Sequence, residues 1–245
     1  MCYYNTLRRT GKITLLQLMA EAPEFIRDMQ SGFTYPDWPV VMKDGTGIKV
    51  EMAHWEFIPY WISDPLKLEE LRKMYATLNA TSEKILISKM FRESALKRRC
   101  LVLSSGFYEW RHYKPESSKK DIAYPYFIHM PDHPYFYMAG IHSYWTDTES
   151  GEMLNTFAIV TTQSNELMTQ IHNKKKRMPS ILPEELAYKW VMDKLSEQEI
   201  QEIASHQHNL NKLVAYTVKK DFREAYNPQE PFEYPELPAI QLFPA

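Results

Sequence analysis

The second residue of the chain is a cysteine, and that position could give it chemistry no internal cysteine has. In MCYYNTLRRT, removal of Met1 would leave Cys2 with a thiol and a free α-amine on adjacent carbons. Two nucleophiles on one residue can attack the same carbon in succession, the second time intramolecularly. The plainer alternative is a small buried hydrophobe, the usual state of a free cysteine. Position alone does not choose between these, so the question passes to the other residues that could complete a site.

Four segments carry suitable types. In SSGFYEWRHY, residues 104–113, strand alternation puts Phe107, Glu109 and Arg111 on one face and Tyr108 and Trp110 on the other. Glu109 is then either a structural acid, paired for example with Arg111, or a functional acid whose pKa is raised by loss of water. In LNATSEKI, Asn79 follows one predicted helix and precedes another. It could belong to a helix cap, with Thr81 or Ser82 as N-cap, or hold a substrate oxygen by two-way hydrogen bonding. In TQIHNKKKRMPSIL, Leu167, Met168 and Ile171 form the buried side of a short helix that ends at His172. His172 is a helix C-terminal residue favoured by the dipole or a proton shuttle near neutral pH. The following Lys174, Lys175, Lys176 and Arg177 make either a solvated face or a site for an anion. In HWEFIPYW, Trp55, Phe57, Tyr60 and Trp61 crowd into eight residues. Most belong to a core, although one or two exposed rings would offer a stacking surface for unpaired bases.

The elements that must position these residues follow from the pattern. A chain of 245 residues with 44% hydrophobic content and a formal charge of -2 can bury one sizeable core, and any polyanion site must be local. Cys2 and Cys100 give no disulfide framework and no metal-ligand spacing, so neither a metal nor another cofactor is expected. No apolar run reaches membrane length and the N-terminus lacks the core of a signal peptide, which leads to the expectation of a soluble, cytoplasmic protein. Helices are predicted over ITLLQLMAEAPEFIRDM, from Asp64-Pro65, from Ser82 through SEKILISKMFRESALK, and over SNELMTQI, PEELAYKWVM and SEQEIQEIA. Strands are predicted over IKVEMAHW, CLVLS, GFYEWRHY, YPYFIHM, YFYMAGIH, NTFAIVTT and LVAYTV. Strands in runs rather than in strict alternation with helices predict an α+β fold, a single domain with a curved, largely antiparallel sheet or barrel-like core and flanking helices. Cys100, in RRCLVL, is expected to be a buried strand residue without chemistry.

Together, MCYY, WEFIPYW, NATSE, RRCLVLSSGFYEW and IHNKKKRMP occur in the order of the motifs of one family. The chain resembles the SOS response-associated peptidase (SRAP) proteins, which act on abasic sites in single-stranded DNA. The resemblance runs from residue 2 to about residue 190. It implies a SRAP-like domain over 1–226; the tail, 227–245, is proline-rich and is expected to pack on or near that domain. The resemblance also implies that Cys2, Asn79, Glu109 and His172 are the chemical set and that single-stranded DNA with an abasic site is the partner; Trp55, Trp61 and Lys174 to Arg177 are expected to face that DNA. In that reading the Cys2 amine forms an imine with the ring-opened sugar and the thiol closes a thiazolidine. Asn79 orients the sugar, Glu109 manages protons and His172 assists sugar opening. Met1 is removed by self-cleavage or by an aminopeptidase.

The sequence also departs from the family pattern. Tyr4 and Thr81 stand where the family has arginines, Glu56 stands for a glycine, and three lysines are inserted after Asn173. Lost cations weaken the grip on phosphates, and the inserted lysines are expected to replace them. Two rival readings are an N-terminal-nucleophile amidohydrolase or amidotransferase, and a non-enzymatic single-stranded DNA-binding module.

Overall fold

The structure, a computed structural model, describes residues 2–208 and 212–241, apart from the side chains of Arg9 and Thr10. Its first surprise is the segment predicted as the opening helix. Residues 13–29 lie in a long hairpin of β1 (Tyr4–Leu15) and β2 (Leu18–Ser31). Ile13 and Leu15 are fully buried while Lys12, Thr14 and Leu16 are exposed, a period of two rather than 3.6. Leu16 turns the chain in the left-handed region at φ 51°. The backbone of Thr14 also bonds the hydroxyls of Tyr135 and Tyr137. Pairing and packing here overrule a helix-favouring Ala/Leu/Glu composition.

β1 and β2 belong to a five-stranded antiparallel sheet with β7 (Gly106–Tyr113), β8 (Ile122–His129) and β13 (Val214–Thr217), in the order β13-β8-β7-β1-β2. A second sheet contains β3 (Asp37–Asp44), β4 (Gly47–His54), β6 (Arg99–Ser104), β9 (Phe136–Thr146) and β10 (Met153–Gln163). Because β10 pairs with both β9 and β4, these five strands close into a ring. The short strands β5 (Asn79–Thr81) and β11 (Arg177–Pro179) attach to β10, and β12 (Ile181–Leu182) attaches to β9. Only the β10 pairings with β4 and β5 are parallel among those described. One continuous core runs between the two sheets. The α+β class and the curved, barrel-like antiparallel core are as predicted.

Helices flank the sheets: α1 (Pro65–Met74), α2 (Arg92–Lys97), α3 (Glu166–Ile171), α4 (Glu184–Met192) and α5 (Glu197–Ala204). The Asp64 side chain caps α1 with Pro65 in the first turn, and a Ser196/Glu199 capping box opens α5. The helix predicted from Ser82 is different. Residues 82–87 form consecutive turns and only Arg92–Lys97 is helical. Ser82 caps no helix: its backbone N–H donates to Thr161 O at 2.8 Å, continuing the β5–β10 ladder, and its hydroxyl faces Thr162. Cys100 lies buried in β6 against Gly140, where an added Cβ would sit 2.9 Å from its sulfur. No helix among the described residues is long and apolar enough to cross a membrane.

Candidate active site

Three strands and one short helix bring Cys2, Asn79, Glu109 and His172 into one buried region. Cys2 lies two residues before β1, and Gly32 N–H donates to Tyr3 O at 2.8 Å, tying the N-terminal segment to the end of β2. Cys2 has no exposed surface, and its sulfur lies 4.0 Å from Tyr4 O. Asn79 is in β5, opposite Ile159 of β10, and so is a strand residue rather than part of a helix cap. Its Nδ2 donates to Cys2 O at 3.0 Å. Among the described residues its Oδ1 is buried without a hydrogen-bond partner, and a buried acceptor left open is suited to a hydroxyl brought by a substrate.

Glu109 sits in β7, between β1 and β8, on the inward face with Phe107. Tyr108 and Trp110 point the other way, where Tyr108 stacks on Phe222 at 4.4 Å. This is the predicted alternation. Arg111 is not the partner of Glu109; it donates to Pro238 O at 2.6 Å and lies 3.4 Å from the Tyr126 hydroxyl. Burial pushes the Glu109 carboxyl up to about 7, against the pull of positive charges that include Lys175. Glu109 in turn adds to the effect of burial in pushing the Cys2 thiol up.

His172 follows α3, which Asn165 starts by accepting from Met168 N–H. Its Nδ1 lies 2.9 Å from Arg177 O. A carbonyl only accepts, so Nδ1 carries the hydrogen and Nε2 presents a lone pair. That Nε2 is 3.7 Å from Glu109 Oε2. Burial, with Lys175 also contributing, lowers His172 to about 4. Near neutral pH the pair is therefore a half-protonated carboxyl facing a neutral imidazole, an arrangement able to give and take a proton. Asn173 fixes their spacing: its Oδ1 accepts from His112 N–H at 3.0 Å and its Nδ2 donates to His112 O at 2.7 Å, clasping the loop after α3 onto β7.

The residues expected to face DNA divide. Trp55 is fully buried, donates to Leu78 O and stacks on Phe157, so it is a core residue and cannot receive a base. Trp61 is 48% exposed and meets Tyr60 edge-on at 5.5 Å, leaving ring surface open to solvent. Lys174, Lys175 and Lys176 are exposed. Lys174 pairs with Asp121 at 3.4 Å, whereas Lys175 acts on both Glu109 and His172. Lys176, in the left-handed region at φ 50°, makes the turn into β11. Lys175 and Lys176 line a cleft of about 420 Å³ with Ser164 and Thr169. The Arg177 guanidinium is held internally by Glu83 and by Thr161 O, each at 2.6 Å. It is thus a tie between segments rather than an open cation.

Sequence reasoning missed Arg223. Its guanidinium lies 5.4 Å from the centre of the Tyr4 ring and 6.0 Å from that of Trp110. An exposed cation is thereby brought to the side chain at position 4 from 219 residues away, and no local signal could have announced it. Arg72, also missed, forms a bidentate pair with buried Glu56, 2.7 Å at its closest.

A barrel-like α+β domain with a second-position cysteine beside a buried carboxyl–imidazole pair defines the class of protein to look for. Residues 13–225 match the family model described as SOS response associated peptidase (SRAP), and the chain belongs to that family. It is 29% identical over 178 residues to a Bacillus subtilis protein named abasic site processing protein YoqW, covering 73% of each chain. It is 31% identical over 186 residues to the Saccharomyces cerevisiae abasic site processing protein YMR114C, covering 74% of this chain and 46% of that one. A crystal structure of a protein from Bacteroides thetaiotaomicron superimposes with a TM-score of 0.77 at 32% identity, over 94% of this chain and 97% of the other.

Proposed function

We propose that this protein processes abasic sites in DNA by forming a covalent link through Cys2. The observation that carries the reading is the buried Glu109–His172 pair beside that cysteine. Met1, which lies outside the described residues, must first be removed. The Cys2 amine then adds to the aldehyde of the ring-opened sugar, and loss of one water gives an imine. The thiol adds across the C=N bond, sulfur to carbon, while its proton passes to nitrogen. The product is a five-membered thiazolidine.

Glu109, titrating near 7, protonates the departing hydroxyl and receives the proton of the attacking group. His172 relays protons through Nε2 and helps to open the sugar ring. Asn79 orients the Cys2 carbonyl through Nδ2 and offers Oδ1 to a sugar hydroxyl. Trp61 and the lysines after Asn173 bind the single strand by stacking and by charge. The raised thiol pKa weighs against an amidohydrolase, which needs a thiolate for its first attack.

The test is intact-mass analysis after mixing the protein with a single-stranded oligonucleotide bearing one abasic site, with a duplex in parallel. Protein beginning at Cys2 should give a product of the summed masses less one water, stable to denaturation. Cys2→Ala should give none, and Cys100→Ala should react normally. A stable adduct on Cys2→Ala, or none on protein verified to begin at Cys2, would overturn the proposal.

A further inference from the structure

The family match ends at residue 225, and the segment after it is built into the molecule. Val218 bridges to Pro231, Phe232 N–H donates to Thr217 O at 2.8 Å, and the Tyr234 hydroxyl donates to Val218 O at 2.9 Å. The Tyr124 hydroxyl donates to Glu236 at 2.9 Å, and Tyr234, Leu237 and Ile240 pack against the main core. These contacts lead the tail along β8 and β13. Its last described part then makes two attachments of another kind. Pro238 O accepts from Arg111, two residues after Glu109 on β7. Gln241 exchanges two hydrogen bonds with Gln170, two residues before His172: Gln170 Nε2 donates to Gln241 O at 2.6 Å, and Gln241 N–H donates to Gln170 Oε1 at 3.0 Å.

The tail therefore bridges the two elements that carry the proton pair. Helix α3 has six residues, too few for stability of its own, so its position depends on tertiary ties. The Asn173 clasp holds the end of the helix to His112 of β7, and the tail joins Gln170 of the helix to Arg111 of β7 through its own backbone. We infer that the C-terminal tail is a positioning strap that holds α3 against β7 and so fixes the separation of His172 and Glu109. The inference rests on the proposed function for its meaning in catalysis, and its test has a reading that needs no activity. Gln170, Arg111 and Gln241 act through the pair and touch no substrate.

The experiment compares the full chain with a variant carrying Gln170→Ala and ending at Ala239, which keeps the Tyr234 and Leu237 anchors. Arg111→Met at full length is the second variant, and Arg111→Lys, still able to donate to Pro238 O, is the rescue. The His172 imidazole is titrated by NMR, its signal assigned by its loss in His172→Gln. Loosening the junction should admit water and raise the His172 pKa by about one pH unit toward its ordinary value. The adduct rate should fall about tenfold at unchanged DNA affinity, and Arg111→Lys should recover both readings. A folded variant with wild-type titration overturns the strap, whatever its rate. If the titration shifts while wild-type protein makes no adduct, the strap stands and the proposed function fails. If the truncated variant does not fold, Arg111→Met with its rescue decides by the same criterion.

Discussion

Replacing His172 by glutamine should expose a pH dependence of stability that the wild-type site conceals. Burial raises Glu109 from 4.5 to about 7 and lowers His172 from 6.5 to about 4, so the two shifts span nearly the same range with opposite sign. Between about 4.5 and 7 the folded state keeps a proton on Glu109 that the unfolded chain has released. That contribution to stability is full below 4.5 and is lost as the pH rises to 7. Between about 4 and 6.5 the unfolded chain protonates His172 and the folded state does not. This contribution is full above 6.5 and is lost as the pH falls to 4. At about 1.4 kcal/mol per pH unit each is about 3 kcal/mol, and over most of the window they offset one another. Glutamine retains an amide N–H for Arg177 O and removes the imidazole titration. Measured by urea unfolding with tryptophan fluorescence, the difference between variant and wild type should favour the variant by about 3 kcal/mol more at pH 4.5 than at pH 7. Titrations elsewhere in the chain cancel in that difference. A difference independent of pH would refute the opposed shifts and, with them, the buried proton pair.

Trp55→Ala should destabilise the fold by about 3–5 kcal/mol in chemical denaturation, whereas Trp61→Ala should leave stability nearly unchanged and weaken single-stranded DNA binding by about 1–3 kcal/mol. Lys175→Ala and Lys176→Ala should each flatten the dependence of log affinity on log salt by about 0.7, while Lys174→Ala, losing a cation already paired with Asp121, should change it less. Arg223→Ala should likewise flatten the slope by about 0.7 without altering the pH dependence of the adduct rate, because it stands over Tyr4 and not against Glu109 or His172.

The inward face of Glu109 was legible because a strand assigns faces by alternation, whatever the rest of the chain does. The place of His172 was legible because the apolar spacing of Leu167, Met168 and Ile171 ends one residue before it. What local pattern could not supply was tertiary choice. The crowded rings of HWEFIPYW do not say which is buried; Gly32, Leu78 and Phe157 decide that for Trp55. The spacing of residues 13–29 suited a helix until β2 folded back on β1. Glu109 was open to pairing with Arg111 in sequence, yet Arg111 is drawn to the tail more than 100 residues away. The inserted lysines were read as one group, and a single acid, Asp121, separates Lys174 from the other two.

The electrostatics of the site suit a polyanion that must come close to an acid. A carboxylate ionised at neutral pH would repel phosphates on either side of the reacting sugar, and low surrounding dielectric would strengthen the repulsion. Raising Glu109 to about 7 weakens that charge while keeping the proton where it is useful. Lowering His172 to about 4 leaves a lone pair rather than a second positive charge, so the neutral imidazole can accept a hydrogen bond from the protonated carboxyl. Lys175 acts on both, and because it is exposed its charge is set at the edge of the site, where a phosphate would arrive. Burial and Glu109 hold the Cys2 thiol neutral, so in the proposed reaction it would not compete for the sugar at the first step. In the proposed reaction the order of events would follow from protonation: the amine attacks first, the imine makes the carbon electrophilic, and only then would a neutral thiol need Glu109 to take its proton.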